Sequence, residues 1–487
     1  MSVFARASTL GVLFSLALPF VAQQAHSQTP DALDQLRAFL PSDSALAFGE
    51  RLDGPEGTVL EDVVVDLIWR SSRIRADRLL LATEAGDLTV ELDGVVLRNA
   101  SGSLAADSLS FDANAAAVLR SWAEVEAPNE DVEENEAAPA DETDPDLPPG
   151  NLSAKNLTIR TTSQPPTQGW FVGDVLVEGL TSNAVERLDF VNLVAYAAGR
   201  FQAGRMVVEG IDIGWFSQLS GVDDIVGGRL PEGGVSLMLE DMMALDASGR
   251  PFFEVSHLRA FIDGEPAPAV EAVEAVAGGT EEADEVVPVG RITLDFAVDD
   301  FALPIDTLRP LPIAEELALV APETLSGSVQ FAGTIDGPGQ RLLIETGLID
   351  LADVAFIEGS LDLADVSFAP DAPQMPLALI QLPGSIPMFS IAGGRLDVED
   401  HGLLSGLEAQ GVPPLSATVD SLSTRLSNRL PMLSGRLDGI LAWLRAFESD
   451  GRGTVRIEPA TPAPVVELLS LMLINPDGVA DRLGLSS

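Results

Sequence analysis

The sequence predicts a mainly β protein: an elongated, repetitive antiparallel sheet or groove with a few short helices at its ends and two disordered acidic loops. Three observations carry that reading. A short unit recurs, IDLADVAF over Ile349–Phe356 and LDLADVSF over Leu361–Phe368, at a spacing of twelve residues, with a related LAADSLSF over Leu104–Phe111. Apolar and polar residues alternate in many places: Leu88, Val90 and Leu92 with Thr89, Glu91 and Asp93; Ile292, Leu294 and Phe296 with Arg291, Thr293 and Asp295; Val329, Phe331 and Ile335 with Gln330, Thr334 and Asp336. A period of two sends successive side chains to opposite faces of a strand, so each run has one apolar face and one wet face. Finally, hydrophobic residues make up 46% of the chain, enough for a folded core, whereas aromatics make up 5%, too few for the aromatic girdles of an outer-membrane barrel.

In chain order, Arg6, the apolar stretch Leu10–Ala22 and the small-x-small run Ala25-His26-Ser27 make residues 1–27 a secretory signal peptide, with an uncleaved anchor as the alternative. Thr29-Pro30-Asp31 then opens a docking helix with Leu33, Leu36, Phe39 and Leu40 on one face. Strand patterns take over from Val63. Glu124–Asp146 is a proline-dotted acidic run without a base, and Gly264–Val287 is a weaker version. Neither buries enough apolar surface to offset its ordering entropy. His257–Asp263 and Gly290–Phe296 both read as strands, so the second run suits a long hairpin loop, and one strand-rich body is preferred to three domains. DVLVEGL over Asp174–Leu180 and RMVVEGIDI over Arg205–Ile213 read as strands, with a helical segment at Leu188–Ala198 between them. Leu303–Leu319 breaks the pattern with prolines and a helical turn. Near the C-terminus, Leu437–Phe447 suits an amphipathic helix and Gly453–Glu458 a strand. Val465–Ile474 suits an apolar helix stopped by Asn475-Pro476, too short for a bilayer and therefore core. The segments predicted are a signal peptide (1–27), a helix and β region (28–123), an acidic linker (124–150), a β region (151–263), an acidic flexible loop (264–289), a repetitive β region (290–429) and a C-terminal α/β cap (430–487).

The net charge of −47 repels phosphate backbones and anionic headgroups, so nucleic acid is not an expected partner. There is no cysteine, which excludes disulfides, thiolate ligands, cysteine nucleophiles and a lipidated N-terminal cysteine. Lys155, the single lysine, lies in a polar strand and is no Schiff-base candidate. The mature chain keeps two histidines, His257 and His401, and no HExxH, G-x-S-x-G, phosphate-loop or EF-hand pattern occurs.

One constellation carries chemistry. Asp397, Glu399 and His401 alternate, so on a strand they share a face while Leu396 and Val398 take the other. Two carboxylates and an imidazole form a donor set for a divalent cation and, through it, a metal-dependent hydrolase. The alternative is the solvated face of an acidic strand. Phe331, Phe356 and Phe368 are candidate ligand-lining residues, equally readable as core.

LTVELDGVVL (Leu88–Leu97), RMVVEGIDI, GRITLDFAVDD (Gly290–Asp300) and GSVQFAGTIDG (Gly327–Gly337) resemble the repeats of exported bacterial AsmA-like proteins. The C-terminal GRGTVRIEPATPAPVVELLSLMLINPDGVADRLGL (Gly451–Leu485) is similar to the ends of alphaproteobacterial exported proteins of unknown function. The AsmA-like resemblance implies a β-groove with an apolar interior that handles lipid or maintains the outer membrane. The function expected is therefore a non-enzymatic periplasmic protein of a Gram-negative envelope that binds lipid or another apolar ligand, without a cofactor and without a transmembrane segment in the mature chain. The alternatives are a structural or partner-binding envelope component and the metal-dependent hydrolase.

Overall fold

The computed structural model describes residues 33, 36–37, 44–55, 57–67, 72–84, 87–98, 102–118, 148–161, 169–181, 183–196, 199–212, 234–265, 291–308, 323–337, 339–366, 389–411, 413–414, 417, 438–474 and 476–486. The expected signal peptide, Phe39, Leu40, the first acidic run, the second beyond Glu265, and Phe368 lie outside the described residues. The described residues are mainly β, in antiparallel pairs with short helices, and fall into two compact units.

The first unit holds β1 (Ser44–Ala47), β2 (Glu50–Gly54), β3 (Gly57–Leu67), β4 (Ser72–Glu84), β5 (Asp87–Arg98), β6 (Gly102–Asp112), β7 (Gly150–Thr161), β8 (Gly169–Leu180), β9 (Ala184–Tyr196), β10 (Arg200–Asp212) and most of β11 (Val235–Leu245). β1 and β2 share one edge of β3, and from β3 to β10 each strand pairs antiparallel with the next. The first acidic run therefore joins two sheet neighbours, β6 and β7, whose pairing includes Phe111 with Leu152. Asp112 ties this corner: its carboxylate accepts from the Ala115 amide at 2.7 Å, opening a helical turn at 113–118, and from the Asn151 amide at 2.8 Å.

A row of Asp, Asn and Gly crosses this sheet. Asp62, Gly94, Asn156, Asn192 and Asp241 have φ of 50°, 62°, 50°, 55° and 51° on alternate strands, and the register brings them beside Asp77, Asp107, Gly173 and Gly204 on the strands between. Left-handed backbone suits Gly and is tolerated by Asn and Asp. Each polar side chain lies over a neighbour that makes room for it. A Cβ on Gly94 would fall 2.2 Å from Asp77 Oδ2, and one on Gly204 3.0 Å from Asp241 Oδ2. Asn156 Nδ2 donates to Asp107 Oδ2 at 2.7 Å. The registers stay one-to-one through the row, so every strand breaks its alternation at the same place.

One strand of the row departs from expectation. Leu188–Ala198 reads as helical in sequence, but it belongs to strand β9. The buried residues Val185, Leu188, Phe190 and Leu193 are separated by threes as well as twos, the last step of three spanning the left-handed Asn192, and such mixed spacing imitates a helical period.

The apolar face of the first unit is closed. Leu60, Leu81 and Leu180 are 0% exposed, and Val90, Leu92, Ala154, Val175 and Leu188 are buried with them. Leu33 and Leu36 are helical and buried, as the sequence leads one to expect, and so are Ala115 and Val118 of the turn after β6.

On the other face Asp189 is nearly buried among arginines. Arg205 donates to its two oxygens at 3.1 and 2.5 Å, and Arg187 donates at 3.1 Å. These bonds, that of Arg205 foremost, hold the Asp189 carboxyl below the usual carboxylate range despite its desolvation. A group lowered in the folded state contributes stability that is complete above the unfolded value near pH 4 and is lost as pH falls through the folded value. The advantage of the wild type over Asp189→Asn, about 1 kcal/mol at pH 7 after discounting for the part-exposed arginines, is expected to shrink as pH falls below the usual carboxylate range. Urea midpoints of the two proteins against pH check this, and parallel curves would exclude it.

The second unit continues with β12 (Pro251–Glu265), β13 (Arg291–Pro304), α1 (Ile305–Leu308), β14 (Thr324–Asp336), β15 (Arg341–Leu351), β16 (Ala355–Ala364), β17 (Ser390–Asp400), α2 (Leu403–Ala409), α3 (Asp438–Asp450), β18 (Arg452–Ile457), β19 (Ala463–Pro464), α4 (Val465–Ile474), α5 (Pro476–Leu483) and β20 (Leu485–Ser486). β12 to β18 again pair in chain order, β19 joins β17, and β20 joins β18. Glu265 pairs with Arg291, so the second acidic run closes a hairpin, in line with the strands read on its flanks.

The twelve-residue repeat is a pair of equivalent corners at the two ends of β16. Asp353 and Asp365 have φ of 59° and 57°, and the valines after them, Val354 and Val366, are buried. Asp107 of the LAADSLSF stretch differs: it lies within β6, in the transverse row, and is no corner. At the C-terminus Ala463, Leu468 and Leu483 form a small core against Ile391, Ile457 and Val479. Helix α4 matches its sequence boundaries but is core on one side: Leu468 is buried, while Val466 and Leu469 face solvent. No helix among the described residues is long and apolar enough to cross a membrane.

Candidate functional site

The pairing registers of β12–β18 align four transverse rows on one face. They read Gly264–Ile292–Ile335–Leu342–Leu363–Ile391, then Ile262–Leu294–Gly333–Ile344–Leu361–Gly394–Ile457, then Ala260–Phe296–Phe331–Gly347–Gly359–Leu396–Val455, and Leu258–Val298–Val329–Ile349–Ile357–Val398–Gly453. No residue in these rows carries a charge or a polar side chain. The opposite face bears the charges, with ion pairs such as Arg341 to Asp362 and Arg395 to Asp397.

Unlike its counterpart in the first unit, this apolar face is open at its middle. Phe296, Ile349 and Leu396 are 37%, 39% and 41% exposed, and Phe331, Ile344, Ile357, Leu361, Val398 and Val455 are half-buried. Cover exists at its β17–β18 side. The Trp443 ring of α3 lies over Gly453, and α4–α5 pack on Ile391 and Ile457. Between Phe331 and Leu396 the third row has two glycines on adjacent strands, and a Cβ on Gly347 would meet nothing nearer than the Gly359 carbonyl at 3.6 Å. At Gly359 a Cβ would stand 3.1 Å from the Arg395 carbonyl and 3.5 Å from Leu396 Cδ1. Paired strands lie about 4.8 Å apart, so Phe331 and Leu396, three strands apart, stand roughly 14 Å from each other. An uncharged surface without hydrogen-bonding side chains can stabilise an apolar occupant by burial and disfavours a polar one, whose groups would lose water without replacement.

Of the lining residues suggested by the sequence, Phe331 lies on this face. Phe356 lies on the other, paired with Asp350 and Glu399, and stacks on His401 with ring centroids 6.3 Å apart. Phe368 is outside the described residues. Sequence reasoning selected bulky aromatics and missed Ile349, Leu396, Gly347 and Gly359. Alternation already placed Leu396 opposite Asp397, but exposure and glycine alignment depend on neighbouring strands.

Asp397 and Glu399 do share the polar face of β17, and His401 follows the strand end. They are not drawn together as a coordination set. Asp397 accepts from Thr454 Oγ1 at 2.6 Å and pairs with Arg395 at 2.5 Å, and these contacts, Arg395 first, hold its carboxyl below the usual range. Glu399 lies 3.4 Å from Arg452 and 3.9 Å from His401, whose other ring nitrogen is 3.9 Å from Asp350. Among the described residues no group of three His, Cys, Asp or Glu side chains is placed to hold a metal ion. Asp397 and Glu399 are in ion pairs with neighbouring bases, which is how an acidic strand face lowers its self-repulsion. His257, exposed on β12, pairs across to Asp299, and Lys155 pairs with Ser108 and Asp174 on neighbouring strands.

No protein-family model matches the chain, and no curated protein is similar to it.

Proposed function

We propose that this is a non-enzymatic, exported protein of a Gram-negative cell envelope that binds a lipid or another apolar ligand on the open face of β12–β18. The observation that carries the reading is a contrast: the same strand pattern closes its apolar face in the first unit and leaves Phe296, Ile349 and Leu396 exposed in the second. Monomeric soluble proteins rarely expose a contiguous apolar patch beyond a few hundred Å² without a use for it. The likeness to AsmA-like repeats and the N-terminal signal pattern support the lipid and the compartment.

The test is native mass spectrometry of protein purified from the envelope fraction of its own host, with extraction of whatever co-purifies. Wild type is expected to carry a lipid adduct near one per chain, and Leu396→Glu, which places a charge on the face, to lose it. A bare wild-type chain would sink the ligand reading. It would favour instead a partner-binding envelope component, for which the exposed Val466 and Leu469 of α4 are the surface to test.

A further inference from the structure

We propose that Trp443 is the residue with which the β12–β18 face recognises its ligand: its indole N–H donates to a carbonyl oxygen, so the occupant is an acyl chain carried as an ester or amide. The inference rests on the ligand reading above and adds the polar group that the four apolar rows lack. Trp443 belongs to α3 and stacks on the buried Phe447, with ring centroids 5.8 Å apart and planes 10° from parallel. A Cβ on Gly453 would meet Cζ2, Cε2 and Nε1 of the indole at 2.7, 2.8 and 2.9 Å, so this edge of the ring rests where a side chain at 453 would project. Gly453 is paired with Val398 in the fourth row, and paired residues share a face, so the ring lies on the apolar side of the sheet. Leu396, 41% exposed, is the diagonal neighbour of Gly453 across β17 and β18, roughly 7–8 Å away. The indole therefore stands at the rim of the open area.

Nε1 of Trp443 is buried, yet no acceptor among the described residues lies within hydrogen-bond reach of it. A buried Trp N–H ordinarily finds a partner, and an unpaired one gives up its hydration without return. The donor is not needed for packing, since a phenylalanine would also stack on Phe447 and cover Gly453 without an orphaned N–H. No hydrogen bond fixes the ring, so it turns about its side-chain dihedrals when a chain settles on Leu396 and Val398, and the N–H leaves Gly453 for an oxygen of that chain. A carbonyl restores the missing hydrogen bond; plain hydrocarbon has no acceptor to offer.

Two probes with the same glycerol head and chains of one length isolate the carbonyl: monolauroylglycerol, an ester, and monododecylglycerol, an ether, each titrated below its micellar concentration into the full chain. The wild type is expected to bind the ester about tenfold more tightly than the ether, the ratio that one hydrogen bond of ordinary net strength supplies. Trp443→Phe, which keeps an aromatic ring on Gly453 and removes the donor, is expected to bring the ratio to about one. Its retained ether binding shows that the variant is folded. In protein isotopically labelled at the tryptophan indole nitrogens, the N–H signal that Trp443→Phe lacks is expected to shift downfield with the ester and not with the ether. A purely structural Trp443 would move neither the ratio nor this difference. Equal affinities of the wild type for ester and ether, or an ester preference that survives Trp443→Phe, would overturn the role of Trp443 while leaving chain binding intact. Failure of the wild type to bind either probe, or ether binding that survives Leu396→Glu, would instead overturn the ligand reading and this inference with it.

Discussion

Leu81→Ala is expected to lower the stability of the first unit by about 3 kcal/mol, whereas Leu396→Ala in the second is expected to cost less than about 1 kcal/mol. Both leucines lie mid-strand with apolar cross-strand neighbours, Leu81 against Val90 and Leu396 against Val455. Leu81 is 0% exposed and Leu396 41% exposed. Truncating the first forfeits transfer free energy and leaves a cavity in a close-packed interior; truncating the second removes methyl groups already in partial contact with water. Urea unfolding, followed by hydrogen exchange on peptides from each unit, separates the two effects. A comparable loss at both positions would mean that Leu396 belongs to a closed core, and the ligand reading would fall with that result. A small loss of stability at Leu396 together with a large loss of ligand places the residue in binding rather than folding.

Gly94→Val is expected to destabilise the first unit by about 2–3 kcal/mol. The backbone at Gly94 has φ of 62°, and a Cβ there would meet the Asp77 carboxylate at 2.2 Å. Left-handed backbone costs a residue with a Cβ roughly 1–2 kcal/mol, and displacing Asp77 adds the rest. Asp77→Gly in the same chain is expected to recover the clash and leave the backbone strain, giving a coupling energy of about 1 kcal/mol in a double-mutant cycle. Strict additivity of the two substitutions would mean that the row of Asp, Asn and Gly is only a coincidence of register.

Much of the fold is legible in the residues because alternation is a local signal. The strands over Leu88–Leu97, Asp174–Leu180 and Arg291–Phe296, the hairpin across the second acidic run and helix α4 all follow from short-range patterns. β9 is not legible in the same way, since its buried residues are spaced by threes as well as twos, one of the threes across the left-handed Asn192. The twelve-residue repeat is visible in sequence, yet its meaning is not: the shared Ala-Asp-Val marks a corner, with the aspartate left-handed and the valine buried. For the site, alternation separates Leu396 and Val398 from Asp397 and Glu399, but it cannot tell that Phe356 pairs with Glu399 while Phe331 lines up with Gly347, Gly359 and Leu396.

By itself the sequence determined the class of this protein, with strands of one apolar and one polar face, no cysteine chemistry and a charge that repels other polyanions. It did so because side-chain direction along a strand and net charge depend only on the order and kind of residues. The tertiary structure alone decided which apolar face is closed and which is open, which glycines lie side by side, and that Asp397 and Glu399 are in ion pairs with Arg395 and Arg452. Those outcomes depend on register between strands distant in sequence, and a shift of one residue would exchange the two faces.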